Sequence, residues 1–302
     1  TGDIVIDSKY LLDIVRKTDG DYVSVETIDG NLVKFFNGNS EFKINGMSSA
    51  DYPNISFNNN STPFTLETTL FNQIIEETAF ACSTSETRPV LTGVNFKAEG
   101  YKLYINATDS FRLASKIIDL NTDLNFNITV PQKYLNEITH AIENKKEVDI
   151  YIDNQKISFV FDDSIVETRL LDDDFPNTSR LIPQSFEQIL TISSKDMLAA
   201  IDRTSFIKSD GKNVIKMNIN EEFVKLTSSD NVSSSFSQVN VIKYEGNPLE
   251  ISCSGTYLKD AIKAIGGDEV LIKFSGELRP IIVKSEKDDN LIQLISPVRT
   301  YH

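Results

Sequence analysis

A helical pattern of apolar residues recurs three times along the chain. Tyr10, Tyr134 and Tyr257 lie about 123 residues apart. Apolar residues follow each tyrosine at positions +1 and +4, and the stripe reaches +8 in the second and third copies. This is the period of an amphipathic helix with the tyrosine on its apolar face. The pattern predicts three related helices, with apolar positions at Leu11 and Ile14, at Leu135, Ile138 and Ile142, and at Leu258, Ala261 and Ile265.

Each predicted helix is followed by two short alternating or β-branched runs around turn residues, which is typical of a β-hairpin. The first two copies then close on similar tetrapeptides, Asp-Tyr-Pro-Asn at 51–54 and Asp-Phe-Pro-Asn at 174–177. Helix, hairpin and closing tetrapeptide in one register indicate an internal duplication. The paired runs are Val23–Ile28 with Leu32–Phe36, Val148–Ile152 with Ile157–Phe161, and Val270–Phe274 with Ile281–Val283.

The second and third copies also have a front half. Helical patterns over Thr65–Ser83 and Ser194–Lys208 precede strand runs, and Ser193 with Asp196 forms a capping-box-like start for the second helix. Each complete copy therefore predicts an α+β domain of roughly 120 residues. The strand runs are Val94–Phe96, Leu103–Ile105, Ile215–Ile219 and Val224–Leu226.

The predicted fold class is thus α+β, built from tandem repeats of a two-helix, antiparallel-sheet domain. The first copy lacks a front half, and about 60 further residues would complete it by the repeat period. We therefore expect residues 1–63 to be the second half of a first domain. Residues 64–184 and 185–302 are the predicted second and third domains.

Composition restricts the class of protein. The two cysteines, Cys82 and Cys253, are far apart, which favours buried free thiols in a reducing cytoplasm over a disulfide framework. No run approaches the ~18 consecutive apolar residues of a membrane helix. The net charge of −14 argues against a nucleic-acid partner, unless the positive charge gathers on one surface.

Catalytic chemistry has little support in the residues. The two histidines are His140 and His302, and no base is assigned near Ser110 to activate it as a nucleophile. Asp172, Asp173 and Asp174 could suggest a cation site, but a surface turn is the better interpretation because the first copy shares only the last aspartate. Phosphate-loop and Cys-x-x-Cys motifs are absent from the sequence. We predict a protein that is not an enzyme and needs no cofactor or metal.

Two further motifs carry a family resemblance. Residues 107–114 read Ala-Thr-Asp-Ser-Phe-Arg-Leu-Ala, and residues 296–301 read Ser-Pro-Val-Arg-Thr-Tyr. With the repeat and the Phe-Pro-Asn closure, they make the chain resemble the β subunit of bacterial DNA polymerase III, the sliding clamp family. The resemblance implies a head-to-tail homodimer forming a ring, with helices lining a hole around duplex DNA, and a tether for polymerase that does no chemistry.

The resemblance gives the polar helix faces a role. Position +6 after each tyrosine carries Arg16, His140 or Lys263 in a chain of net charge −14. An ordinary solvated helix face is the alternative explanation of this pattern. The predicted DNA-facing residues are Lys9, Arg16, Arg88, Lys133, His140, Lys195, Arg203, Lys208, Lys259 and Lys263.

The resemblance also implies a pocket where polymerase III α subunit, clamp loader and repair polymerases insert a short peptide of Gln, Leu and Phe type. Ordinary packing between domains is the alternative. Ser296 and Phe111 depart from the family, which usually has a larger apolar residue and often a histidine there. The implied pocket residues are Leu91, Thr108, Ser110, Phe111, Arg112, Leu113, Pro176, Arg180, Leu181, Leu294, Ser296, Pro297, Val298 and Arg299.

The family's dimer interface would lie near Phe206 and Ile207. A competing hypothesis is a non-enzymatic, repeat-built scaffold or adhesin that binds protein or glycan. The +6 cations discriminate between the two, because an adhesin has no reason to keep that position basic in three copies.

Overall fold

The computed structural model describes residues 2–28, 30–53, 61–205, 207, 213–230 and 232–299. The chain divides into two compact units, residues 1–58 and 59–302. No helix in the described part of the chain is long and apolar enough to cross a membrane.

The first unit holds one helix and a three-stranded antiparallel sheet. The helix begins after Asp7, whose carboxylate accepts a hydrogen bond from the Lys9 backbone N–H at 2.8 Å. Ile14 at position +4 is buried against Val33 and Phe35, whereas Tyr10 is 57% exposed. The predicted helix and hairpin are both present, as α1 (Ser8–Lys17), β1 (Ser24–Thr27), β2 (Leu32–Asn37) and β3 (Ser40–Asn45).

The second unit contains both complete copies of the repeat. Residues 61–184 form β4 (Phe64–Glu67), α2 (Thr68–Thr78), β5 (Gly93–Thr108), β6 (Arg112–Pro131), α3 (Gln132–Ala141), β7 (Glu147–Ile152), β8 (Lys156–Phe161) and β9 (Ser164–Arg169). The following copy forms β10 (Gln188–Ser193), α4 (Ser194–Thr204), β11 (Val214–Ile219), β12 (Phe223–Ser229), β13 (Ser234–Asn240), β14 (Lys243–Glu245), β15 (Leu249–Ser254), α5 (Gly255–Ile265), β16 (Glu269–Phe274), β17 (Ile281–Lys284) and β18 (Leu291–Ile295).

One sheet joins the two copies. Its order is β14-β10-β16-β17-β18-β6-β5, and the pairing of β18 with β6 sets Leu294 opposite Leu113. Two four-stranded sheets, β13-β12-β11-β15 and β4-β7-β8-β9, complete the unit. Because backbone hydrogen bonds continue from one copy into the next, the boundary between them is a strand pair and not a flexible linker.

The helices of this unit form a row, in which α2 contacts both α3 and α5, and α4 contacts α5. Leu135, Ile138 and Ile142 of the second copy are fully buried, and so are Leu258 and Ala261 of the third. The predicted apolar positions +1 and +4 are therefore confirmed for both helices. The tyrosine position differs between copies, because Tyr134 is 41% exposed whereas Tyr257 is partly buried against the core.

Three predicted boundaries were wrong. The helix predicted to begin at Thr65 begins at Thr68, because residues 64–67 pair with β7 as β4. The helix predicted to reach Lys208 ends at Thr204, although its predicted cap is present, with Ser193 Oγ accepting from the Asp196 N–H. The runs predicted at 94–96 and 103–105 both fall within β5, whose register against β6 shifts between Gly100 and Lys102.

Both cysteines are buried free thiols, as predicted. Burial raises the pKa of Cys82 and of Cys253 to about 12. Since the thiolate is the reactive form, these side chains act as small apolar core residues.

Candidate nucleic-acid and peptide interfaces

The predicted cationic position +6 lies on the solvent face of its helix in all three copies. Arg16, His140 and Lys263 are exposed, while Ile14, Ile138 and Ala261, each two positions earlier, are buried. The placement follows from helical period, because a residue two positions from a buried one is turned by about 200° around the axis.

The other predicted DNA-facing residues divide into two groups. Lys9, Arg88, Lys133 and Lys195 are exposed, whereas Lys208 lies outside the described residues. Two further side chains have protein partners, which the sequence pattern did not predict. Lys259 Nζ is 2.5 Å from Asp202 Oδ1, and Arg203 Nε donates to Ser237 Oγ at 3.0 Å. The helix row thus presents exposed cations, but Lys259 and Arg203 already have partners within the protein.

The predicted peptide pocket has a buried apolar floor and an exposed rim. Leu113 and Leu294 are buried with Ile282, under Ile182, Phe186 and Ile292. Leu113, Leu181 and Leu294 were expected to form the centre of the site; Leu113 and Leu294 are buried, whereas Leu181 is 50% exposed. The predicted pocket residues Phe111, Arg180, Leu181 and Arg299 are exposed, and we call these four the peptide rim.

Thr108, Asp109 and Ser110 form a turn that positions Phe111. Thr108 Oγ1 donates to the Arg112 carbonyl oxygen at 2.5 Å, and Asp109 Oδ1 accepts from the N–H groups of Phe111 and Arg112. Ser110 has φ 79°, a conformation uncommon for a residue with a side chain. The tail is tied to the same turn by the Ser296 N–H, which donates to the Phe111 carbonyl oxygen at 2.8 Å.

The remaining predicted pocket residues surround this region. Leu91 is buried, Pro176, Ser296, Pro297 and Val298 are half-buried, and the Val298 N–H donates to the Ser252 carbonyl oxygen. Of the predicted dimer residues, Phe206 lies outside the described residues. Ile207 is buried within this chain, so its side chain offers no contact area in this conformation.

Arg112 was predicted as a pocket residue, and its guanidinium bridges the two copies of the repeat. Nε donates to Asp109 Oδ2 at 3.0 Å, Nη1 to Asp260 Oδ2 at 2.8 Å, and Nη2 to the Phe80 carbonyl oxygen at 2.5 Å. The guanidinium carbon also lies 4.5 Å from the ring centre of Tyr257, within cation–π range. Arg112 therefore fastens β6 to α5 with three of its five N–H donors.

A second buried cation lies on the same strand. Lys116 Nζ is 3.0 Å from Glu77 Oε2 and 2.8 Å from Asp288 Oδ2. Burial alone would lower the pKa of Lys116, but hydrogen bonds with Asp288 and Glu77 outweigh it and raise that pKa. Burial alone would raise the pKa of Asp288, but hydrogen bonds from Lys116 and the Asn290 N–H hold it below its usual value. The raised pKa of Lys116 and the lowered pKa of Asp288 both favour the charged form of this ion pair.

The Asp288 pair predicts a pH-dependent stability difference. The folded-state pKa of Asp288 is depressed, so its contribution is present above the ordinary value of 3.8 and is lost as pH falls through the lowered pKa. In urea unfolding, Asp288→Asn should be less stable than wild type near pH 7, and the gap should shrink below about pH 4. An equal gap at pH 7 and at pH 3 would contradict the ion pair.

A cavity of about 480 Å³, lined by both polar and apolar side chains, lies beside the peptide rim. Residues 175–179 and Ile182 border this cavity. Because Pro176 is among them, the cavity shares one residue with the predicted peptide pocket. Its other lining residues are Asn95, Lys97, Glu99, Tyr104, Asn106, Ser115, Ile117 and Asn127. We name it the asparagine cavity. The cavity was not predicted from the sequence, because its residues alternate with apolar ones along strands, a pattern that indicates only a solvated sheet face.

Comparison with known proteins agrees with this architecture. Family models of the N-terminal, central and C-terminal domains of the DNA polymerase III beta subunit match residues 1–56, 65–177 and 179–299. The beta sliding clamp of Staphylococcus epidermidis is 36% identical over 305 residues, which cover 100% of this chain and 81% of that protein.

Solved structures give the same result. The DNA polymerase sliding clamp of Bacillus subtilis is 34% identical with a TM-score of 0.95, over 99% of this chain and 80% of that one. The DNA polymerase III beta chain of Streptococcus pneumoniae is 32% identical with a TM-score of 0.93, over 99% and 81%. The predicted fold class is confirmed. The chain belongs to the family of DNA polymerase III beta subunits, the bacterial beta sliding clamps.

Proposed function

We propose that this protein is a DNA sliding clamp, which encircles duplex DNA and tethers the replicative polymerase so that synthesis is processive. The observation that carries this function is the match of the family's three domains along the chain, at a TM-score of 0.95 to a solved clamp. A scaffold or adhesin built from the same repeat is not favoured. Retention on closed circular DNA compared with linear DNA tests the function directly.

Weak contact with DNA suits such a role. The helix row carries exposed cations at Lys133 and Lys263, which would reach phosphates without reading bases. The net charge of −14 opposes tight electrostatic binding elsewhere on the surface. A ring held by topology needs only these few contacts, and it acts without an enzymatic step of its own.

The closed ring requires a second copy. We infer a head-to-tail homodimer in which the first domain of one subunit meets the third domain of the other, with domains at residues 1–63, 64–184 and 185–302. Strand β13 supports this assembly, because it is the edge of its sheet and carries Phe236, 70% exposed. An unpaired edge with an exposed aromatic residue is suited to pairing with another chain. We place the protein in the cytoplasm, where replication occurs.

Partner proteins dock through a short peptide. The replicative polymerase α subunit, clamp loader and repair polymerases would place Leu and Phe side chains against Leu181 and Phe111. Arg180, the sequence neighbour of Leu181, and Arg299 are exposed cations. Exposed apolar residues bordered by arginine at a domain junction are typical of peptide-binding sites.

Leu181→Asp should weaken binding of a peptide containing Gln followed by spaced Leu and Phe by about thirtyfold, since a buried charge replaces an apolar contact of hot-spot size. Fluorescence anisotropy measures the affinity. Leu181 is 50% exposed, so the variant should fold, whereas Leu113 is 1% exposed and Leu113→Asp would disrupt the core. Ile165→Asp is the matched control, because Ile165 is 40% exposed on β9. If Leu181→Asp, Ile165→Asp and wild type all bind the peptide with equal affinity, Leu181 is not part of the peptide site.

A further inference from the structure

The asparagine cavity continues the peptide surface along the same face of one strand pair. Thr108 of β5 pairs with Leu113 of β6, and the next outward pairs are Asn106 with Ser115 and Tyr104 with Ile117. Alternate residues of a strand share a face, and each two-residue step advances about 7 Å. The cavity residues therefore lie one and two steps beyond the Thr108–Leu113 pair.

Three asparagine side chains present N–H donors to this space. Asn127 Oδ1 accepts from Asn95 Nδ2 at 2.9 Å, and Asn95 Nδ2 is itself oriented by the Ile128 carbonyl oxygen. Asn177 Oδ1 accepts from the Ser179 N–H, and Asn106 Oδ1 accepts from Thr178 Oγ1 at 3.3 Å. Because the oxygens are engaged, the Nδ2 groups are left to donate to a ligand.

The charges around the cavity disfavour an anionic ligand. Lys97, the one cation in the lining, is paired with Glu99 at 2.5 Å. Residues 172–174, three aspartates, line an adjoining cavity together with Asn95 and Asn127. An uncharged group rich in carbonyl or hydroxyl oxygen satisfies the donors without this repulsion.

We propose that the asparagine cavity is a second subsite for partner peptides, which receives about four uncharged polar residues next to the apolar motif. The length follows from two steps of about 7 Å, which an extended chain covers in about four residues. Main-chain carbonyls and Ser, Asn or Gln side chains of the flank accept from Asn106, Asn127 and Asn177. This subsite rests on the proposed peptide site at Leu181 and Phe111.

Four synthetic peptides test the subsite by fluorescence anisotropy. The first peptide carries the Gln, Leu and Phe motif alone. The second adds Ser-Asn-Ser-Gln before the motif, and the third adds it after the motif. The fourth adds four aspartates at the end where the polar extension increases the affinity. We expect one polar extension to bind five- to tenfold tighter than the motif, the gain from about two retained hydrogen bonds. The aspartate extension should bind no tighter than the motif.

Two variants test whether the gain in peptide affinity comes from the cavity. Asn106→Ala and Asn127→Ala should each reduce the gain in affinity from the polar extension while leaving the affinity for the motif alone unchanged. Asn106 accepts a hydrogen bond from Thr178, so Asn106→Ala could also disturb the segment at Thr178. Asn127 is exposed, and Asn127→Ala therefore tests the cavity without that disturbance. Asn125→Ala is the matched control, because Asn125 is exposed on the same strand outside the cavity.

The outcomes separate the two proposals. Failure of the motif alone to bind would overturn the proposed peptide site. Binding of the motif with no gain from either polar extension would overturn only the subsite. A gain that persists in both asparagine variants, or an equal gain from aspartates, would also overturn it.

Discussion

Arg112→Ala is expected to lower the free energy of unfolding by about 3 kcal/mol, the usual cost of removing one partner from a buried ion pair. The side chain is 13% exposed, and its loss removes the donors to Asp109 Oδ2, Asp260 Oδ2 and the Phe80 carbonyl oxygen. Urea unfolding at neutral pH measures the change.

Two variants establish the cause. Arg112→Lys keeps the charge but not the forked donors, so an intermediate loss is expected. Arg88→Ala removes an exposed arginine and should change stability by no more than about 0.5 kcal/mol. If Arg112→Ala behaves like Arg88→Ala, the guanidinium does not fasten the two copies together.

The engagement of Arg112 has a structural consequence. Arg112 and Lys116 both leave β6 toward groups of the following copy, at Asp260 and Asp288. Between them runs the strand pairing of β6 with β18. The junction is thus held by backbone hydrogen bonds and two buried cations, which makes it a stiff part of the proposed ring.

Periodicity was sufficient to predict the helices and hairpins. The spacing of Leu135, Ile138 and Ile142 fixes which face of α3 is buried, and the same spacing leaves His140 in solvent. Residues 64–67 could not be assigned in this way. Their pattern fits either the start of a helix or a strand. They form a strand because they pair with Glu147–Ile150, which lies far away in the sequence.

The candidate site was only partly predictable. The family motif indicated Leu113 and Arg112, but their burial depends on β18, Asp260 and Phe80, which no local pattern connects to them. Lys116 reads as an ordinary strand lysine until Glu77 and Asp288 are placed beside it. Long-range contacts of this kind carry no signal in a single sequence.

Closed circular DNA should retain the protein far more strongly than linear DNA after loading, and this is the second large effect expected. A clamp leaves DNA by ring opening or by sliding off an end, so linearisation gives it an exit. High salt weakens contacts that depend on phosphate charge but does not open a covalent circle. The exposed cations of the helix row, such as Lys263, should therefore matter little to retention.

The measurement that tests the central claim most directly uses the protein loaded by a clamp loader onto a nicked plasmid. The complex is washed in high salt, and half is then cut once with a restriction enzyme. We predict that the protein remains on the uncut circle and is lost from the cut plasmid. Equal retention on both forms, or equal loss from both, would contradict a topological clamp.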